Sequence, residues 1–292
     1  MNRTSAETPY LRARVASVEA EMESLRAELE ETNQGVVALY AELDDRAVQL
    51  REAVDLKSRF LSYMSHEFRT PLASMTSLTR ILLACLDGPL TPEQQTQIEL
   101  VQKSVADLTE MVDDLLDLAK VEAGRITISP EWFEMVDLFS ALRGMFRPIV
   151  ANSAVSLIFE EPKGIPRIYT DDKRLSQILR NFISNALKFT TAGEARVNVQ
   201  MVSAETAEFA VTDTGIGIQP EQLSVLFNDF VQLDTPMQRR LRGTGLGLSL
   251  ARKFARLLGG EVGAQSVFGE GSRFWVRIPV QYDGTACRAE SP

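Results

Sequence analysis

The chain has 292 residues, 31 Lys and Arg against 40 Asp and Glu, and a formal net charge of −9. That balance excludes nucleic acid as a principal partner, because phosphate backbones are held by basic patches. The longest apolar run, Ile81–Leu86, falls far short of the ~20 residues that cross a bilayer, and the first stretch is rich in Glu and Arg rather than leader-like.

The length accommodates roughly two domains. Residues 1–10 and 283–292 are expected to be disordered. From Leu11 apolar residues recur at alternating steps of four and three, through Val15, Val18, Met22, Leu25, Leu29, Thr32, Val36, Leu39, Leu43, Arg46 and Leu50. This heptad pattern predicts a coiled coil over 11–54, about 60 Å long from Leu11 to Leu50. Thr32 and Arg46 weaken the seam, which either makes the coil switchable or fixes its register. Val54 follows Leu50 by four where three is due, a stutter that locally unwinds a supercoil. The repeat resumes through Leu61, Met64 and Phe68.

In that register His66 takes the most exposed heptad position. It is the single histidine of the chain and lies in Ser-His-Glu-Phe-Arg-Thr-Pro-Leu, residues 65–72. An exposed imidazole beside the Glu67 carboxylate suits proton transfer or nucleophilic attack on a partner. Asp-Gly-Pro-Leu-Thr-Pro at 87–92 breaks the chain, and Thr91 with Pro92 reads as a helix N-cap followed by proline in the first turn. A second helix then carries Ile98, Val101, Val105, Leu108, Val112, Leu115 and Leu118 on one stripe. Such a hairpin, residues 55–124, buries one face poorly alone, so two copies in a four-helix bundle are expected.

After Gly124, β-like runs alternate with helices, as in an α/β sandwich over 125–282. The segment 171–190 has an apolar stripe at Leu175, Ile178, Leu179, Phe182, Ile183 and Ala186. Its other side carries Asn181, Asn185 and Lys188, groups able to meet a hard cation and phosphates. Phe-Ala-Val-Thr-Asp-Thr-Gly-Ile-Gly-Ile at 209–218 takes a β-type run into Asp213, with Gly215 and Gly217 free to let the backbone approach a ligand. A carboxylate there can accept a hydrogen bond from the amine of adenine, where guanine presents an oxygen. Residues 219–241 are polar and read as a mobile lid anchored by Phe227 and Phe230. Arg-Gly-Thr-Gly-Leu-Gly-Leu at 242–248 runs into a striped helix, and its exposed N–H groups favour anions. Gly259–Val280 alternates around glycine turns as a closing hairpin.

Taken together the motifs resemble those of sensor histidine kinases: SHEFRTPL is similar to their H-box, 171–190 to their N-box, and the two glycine segments to their glycine boxes. The resemblance implies a dimerising phosphoacceptor hairpin followed by an ATP-binding domain. It implies that His66 accepts phosphate from ATP, that Glu67 takes the proton or fixes the tautomer, and that Thr70 orients water for dephosphorylating the partner. Asn185 would ligate Mg²⁺, with Asn181 and Lys188 at phosphates or the metal's water shell. Asp213, Gly215 and Gly217 would receive adenine, and Gly243, Gly245 and Gly247 the phosphates. A homodimer, a separate response regulator receiver domain and a separate sensor protein at the coil are the implied partners. Cys85 and Cys287, far apart, fit a reduced cytoplasmic protein. Two alternatives remain. ATPases of the gyrase, MutL and chaperone types carry a glutamate at the place of Asn181, and asparagine cannot serve as that base. A nucleotide-responsive coiled-coil scaffold with little kinase activity is the other.

Overall fold

The computed structural model describes residues 4–86, 88–151, 153–232 and 244–284, which divide into one unit up to Arg59 and a second from Phe60 onward. Helix α1 spans Thr4–Leu83 and helix α2 spans Pro92–Glu122. The helix thus begins at Thr4, inside the stretch expected to be disordered, where Ala and Glu are good helix formers. In the first unit the seam residues Met22, Leu25, Leu29, Val36, Leu39, Leu43 and Leu50 are all exposed on the single chain. Of the expected C-terminal tail, residues from 285 onward lie outside the described ones.

Thr91 caps α2 as its sequence suggests. Its hydroxyl accepts from the Gln94 N–H at 3.2 Å while the Gln94 side chain accepts from the Thr91 N–H at 2.9 Å, with Pro92 in the first turn. In the hairpin Leu72, Thr79 and Val105 are buried, whereas Phe68, Met75, Leu78, Leu100, Val101 and Leu108 are exposed.

The rest of the second unit is built as two layers. Its elements are β1 (Glu131–Phe133), α3 (Met135–Val150), β2 (Val155–Phe159), β3 (Ile168–Thr170), α4 (Asp172–Phe189), β4 (Gly193–Met201), β5 (Thr206–Asp213), α5 (Pro220–Leu223), α6 (Gly247–Leu257), β6 (Glu261–Val267) and β7 (Gly271–Pro279). Five strands form one sheet in the order β2-β4-β5-β7-β6, parallel only between β2 and β4. The period of β7 explains the layering. Ser272, Phe274, Val276 and Ile278 are buried, and Arg273, Trp275 and Arg277 alternate with them on the other face. The apolar face packs with α3, α4 and α6 into one core that includes Leu142, Phe182, Phe209, Leu250 and Phe254. β6 and β7 are the expected closing hairpin.

The small antiparallel pair β1–β3, with Trp132 and Tyr169 rings 5.2 Å apart, was not signalled by periodicity, since three-residue strands carry none. The other face of the large sheet is not bare of structure either. There the Glu208 carboxylate is buried and accepts from Arg273 at 2.6 Å, Arg277 at 2.7 Å and Gln200 at 2.9 Å. Burial alone would raise the Glu208 pKa, but these donors hold it below the usual glutamate range.

Candidate functional site

One cavity gathers most of the residues singled out in the ATP-binding part of the sequence. Asn181, Asn185 and Lys188 from α4, Asp213 at the end of β5, Gly217, and Gly245 and Gly247 at the entry to α6 all line it. Gly243 and residues 233–241 of the expected lid lie outside the described residues.

The α4 residues are placed by the helix's own amphipathicity. Leu175, Ile178, Leu179, Phe182 and Ile183 are fully buried, which turns the Asn181–Asn185–Lys188 side toward the cavity. The helix start is fixed by Asp171, whose carboxylate accepts from the N–H of Arg174 at 3.1 Å and of Ser129 at 3.0 Å. Asn181 is already engaged: its amide nitrogen donates to the Gly247 carbonyl at 2.9 Å, tying α4 to the start of α6. A Cβ at 247 would sit 3.2 Å from the Asn181 amide oxygen, so a side chain there would press on this contact. No described group hydrogen-bonds the Asn185 side chain. Lys188 is half-buried, and burial lowers its pKa against the opposing pull of Asp107 and Glu110.

Asp213 lines the cavity and is almost fully buried. Desolvation pushes its carboxyl up, and the backbone groups of Gly215 and Ser272 oppose that shift. The Gly215 N–H donates to its Oδ1 at 2.8 Å. The two glycines after it are also crowded by the protein's own backbone. A Cβ at Gly215 would meet the Phe189 carbonyl, and one at Gly217, where φ is +65°, would strike the Val267 carbonyl. The protein's own backbones cross here, so both positions need glycine whether or not a ligand also approaches.

The two lid phenylalanines also part company. Phe227 packs against the core, but Phe230 is exposed with φ at +61°, a left-handed conformation that costs an aromatic residue on the order of 1 kcal/mol. Next to it, Asp229 is held by Lys253 of α6 at 3.0 Å, and this anchors the chain where an apolar pair was expected.

His66, Glu67 and Thr70 are all exposed on α1, and none of them lines the cavity. The Thr70 hydroxyl donates to the His66 carbonyl one turn back at 3.3 Å. Arg69, in the same motif, pairs with Asp113 of α2 at 2.7 Å.

Among the cavity residues that the motifs do not single out are Ser272, Thr244, Glu110 and Asp114. Ser272 comes from the start of β7, and Thr244 from the glycine-rich segment, where its hydroxyl accepts from the Leu246 N–H at 3.0 Å. Glu110 and Asp114 come from α2. Their signal was present as acidic residues at three- and four-residue steps (Asp107, Glu110, Asp114, Asp117), beside an apolar stripe that claimed attention first.

In chemical terms the cavity offers a buried acceptor, suited to a nucleobase amine, together with a half-buried ammonium, two carboxamides and a helix N-terminus, a set suited to polyphosphate. The unengaged Asn185 oxygen fits a hard divalent cation shared with phosphates.

Comparison with known proteins agrees with that assignment. The model of the His Kinase A (phospho-acceptor) domain matches residues 56–124. That of the Histidine kinase-, DNA gyrase B-, and HSP90-like ATPase matches residues 170–282. The Autoinducer 2 sensor kinase/phosphatase LuxQ of Vibrio harveyi is 35% identical over 239 residues, 80% of this chain and 28% of LuxQ. An uncharacterized sensor-like histidine kinase of Rhizobium meliloti (strain 1021) is 34% identical over 305 residues, 100% of this chain and 57% of that protein. The chain therefore spans between about a quarter and three-fifths of these relatives' lengths. Among solved structures, full-length ShkA in complex with AMPPNP superposes with a TM-score of 0.64 at 30% identity, covering 76% of this chain and 46% of that one. Among the described residues no helix is long and apolar enough to cross a membrane.

Proposed function

The chain belongs to the sensor histidine kinases, and from that premise we propose that it phosphorylates its own His66 with ATP and passes the phosphoryl group to an aspartate of a separate response regulator. The observation that carries this reading is the cavity. Asn181, Asn185, Lys188 and Asp213, distant in sequence, meet in it, while the one imidazole of the chain is exposed and free to be presented to it.

Asp213 accepts a hydrogen bond from the exocyclic amine of adenine. The N–H groups at the start of α6, with Lys188, hold the phosphates. A ring nitrogen of His66 attacks the γ-phosphorus roughly in line, the P–N bond forms, and the bond to the β,γ-bridging oxygen breaks to release ADP. Glu67 accepts the proton that the imidazole loses, or fixes the tautomer that attacks. Asn185 would hold Mg²⁺, which when bound neutralises charge on the phosphates. Hydrolysis is the poorer reading, because Asn181 cannot act as a base and its amide nitrogen already donates to Gly247.

Thr70 lies one turn from His66, where it could place water against a phosphorylated partner once its hydroxyl leaves the His66 carbonyl; the chain would then also be that partner's phosphatase. The reading includes a cytoplasmic location, a second copy of the chain along the exposed apolar stripes of coil and hairpin, and a separate sensor protein at residues 11–54.

Incubation with γ-labelled ATP and Mg²⁺ tests the proposal. Acid-labile, base-stable label is expected on the wild type, none on His66→Gln, and on the order of 100-fold slower labelling for Asn185→Ala. Label that persists on His66→Gln would remove the central assignment. The same assay on the chain lacking residues 1–50 tests the coil: an unchanged response to the cellular signal would exclude it as the input.

A further inference from the structure

The nucleotide cavity is lined from a third side, by α2 of the hairpin. Glu110 and Asp114 lie among the same lining residues as Asn181, Asn185 and Lys188. The Thr244 hydroxyl, in the glycine-rich segment that precedes α6, donates to the Asp114 carboxylate at 3.3 Å. Lys188, the cation assigned to phosphates, has Asp107 and Glu110 of α2 as its neighbouring anions.

We propose that the acidic face of α2 is a built-in competitor for the nucleotide's phosphates: Glu110 and Asp114 stand where the triphosphate is held, so the docked hairpin and bound ATP exclude each other. This inference rests on the cavity being the ATP site.

The chemistry of the contacts supports it. Carboxylates offer Lys188 and the glycine segment the same acceptor oxygens and negative charge that phosphates offer. A triphosphate brought to the same end would meet two anions of like charge, so one set has to leave. The docking is held elsewhere by groups that do not face the cavity. The Gln177 amide donates to Asp117 at 2.8 Å, Arg174 pairs with Asp117 at 3.5 Å, and Lys253 joins Glu122 at 3.4 Å. Lys253 also holds Asp229, so one lysine connects the end of α2 with the entry to the lid.

Burial pushes the Asp114 carboxyl up to about 6, Glu110 adds to that, and the Thr244 hydroxyl opposes it only in part. A carboxylate so placed is dislodged readily by a ligand with more negative charge and more acceptor oxygens. ATP binding would thereby loosen the hairpin from the nucleotide domain, and α2 would set the threshold at which ATP is accepted.

The test uses the full chain and measures dissociation constants for Mg²⁺ with AMPPNP, for ADP and for adenosine. The variants are Asp114→Asn, which keeps an oxygen for Thr244, Glu110→Gln at an exposed position, and their combination. The expected result is AMPPNP binding about tenfold tighter in the double variant, within the range usual for coupling between sites. ADP should gain less, and adenosine should be unchanged within about twofold, as suits a coupling through phosphates alone.

Equal or weaker AMPPNP binding in both single variants would overturn the competition. So would slower His66 labelling at unchanged nucleotide affinity, which would make the acidic face a productive contact. Tighter AMPPNP binding with no label on His66 would strike the kinase reading alone and leave the competition standing. Failure of any nucleotide to bind would overturn both.

Discussion

The helical hairpin and the nucleotide-binding domain belong to the same unit of the chain, yet they solve burial in opposite ways. In the domain Phe182, Phe209 and Phe254 are at 0% exposure, sealed between one face of the sheet and the helices. In the hairpin Leu78 is 59% exposed and Leu100 67% exposed, although both lie on long, regular helices. A sheet covered by three helices is a closed two-layer core. Two helices leave each other's far sides open, so a hairpin needs more helices to reach the same state. The domain can be stable by itself, and the stability of the hairpin has to depend on what covers it.

The largest effect that tests this contrast is in the domain. Phe182→Ala removes a ring from the centre of the core beneath α4, and is expected to cost about 3–5 kcal/mol in denaturant unfolding, independently of protein concentration. Because Asn181 and Asn185 ride on the same helix, nucleotide binding should fall with it. A loss below about 1 kcal/mol would mean that the domain core is not closed as described. The hairpin should behave differently. Leu100→Ala touches a side chain that is mostly in water on the single chain, where such changes cost about 0.5 kcal/mol or less. If a second copy covers it, the cost rises to about 2 kcal/mol, and the melting temperature comes to depend on concentration. Melting curves over a hundredfold dilution series separate the two cases, and concentration-independent melting would remove the dimer.

The same contrast governs what could be read from the amino-acid sequence. Local rules sufficed where burial follows from a repeat in one segment. The stripe Leu175, Ile178, Leu179, Phe182 and Ile183 gave α4 and its polar side together, alternation gave β6 and β7, and Thr91-Pro92 gave the start of α2. Exposure of His66 followed from its heptad position. What escaped depends on the meeting of distant segments. Gly215 and Gly217 answer to the carbonyls of Phe189 and Val267, which no local pattern relates to them. Phe230 looked like Phe227 in sequence, and the backbone at 230 decides against its burial. Glu110 and Asp114 join the cavity only because α2 is placed against the glycine segment. Residue type and period identify the chemistry of a group, while its opponent across the cavity is a matter of tertiary contact.

The smallest effect concerns what joins the two helices of the hairpin. Arg69 donates to Asp113 at 2.7 Å, the ion pair within the described residues that runs from the His66 motif to α2. Both side chains are about half exposed, at 54% and 50%, so water and salt screen them and two long side chains lose freedom in pairing. Arg69→Ala is accordingly expected to cost about 0.2–1 kcal/mol at low salt, and to lose that difference near 1 M salt. A cost of 2 kcal/mol or more that survives high salt would mean that the pair is desolvated in the working assembly. Since Arg69 lies outside the apolar seam of α1, that result would place a covering partner over the side of the hairpin that carries His66, rather than along its apolar stripe alone.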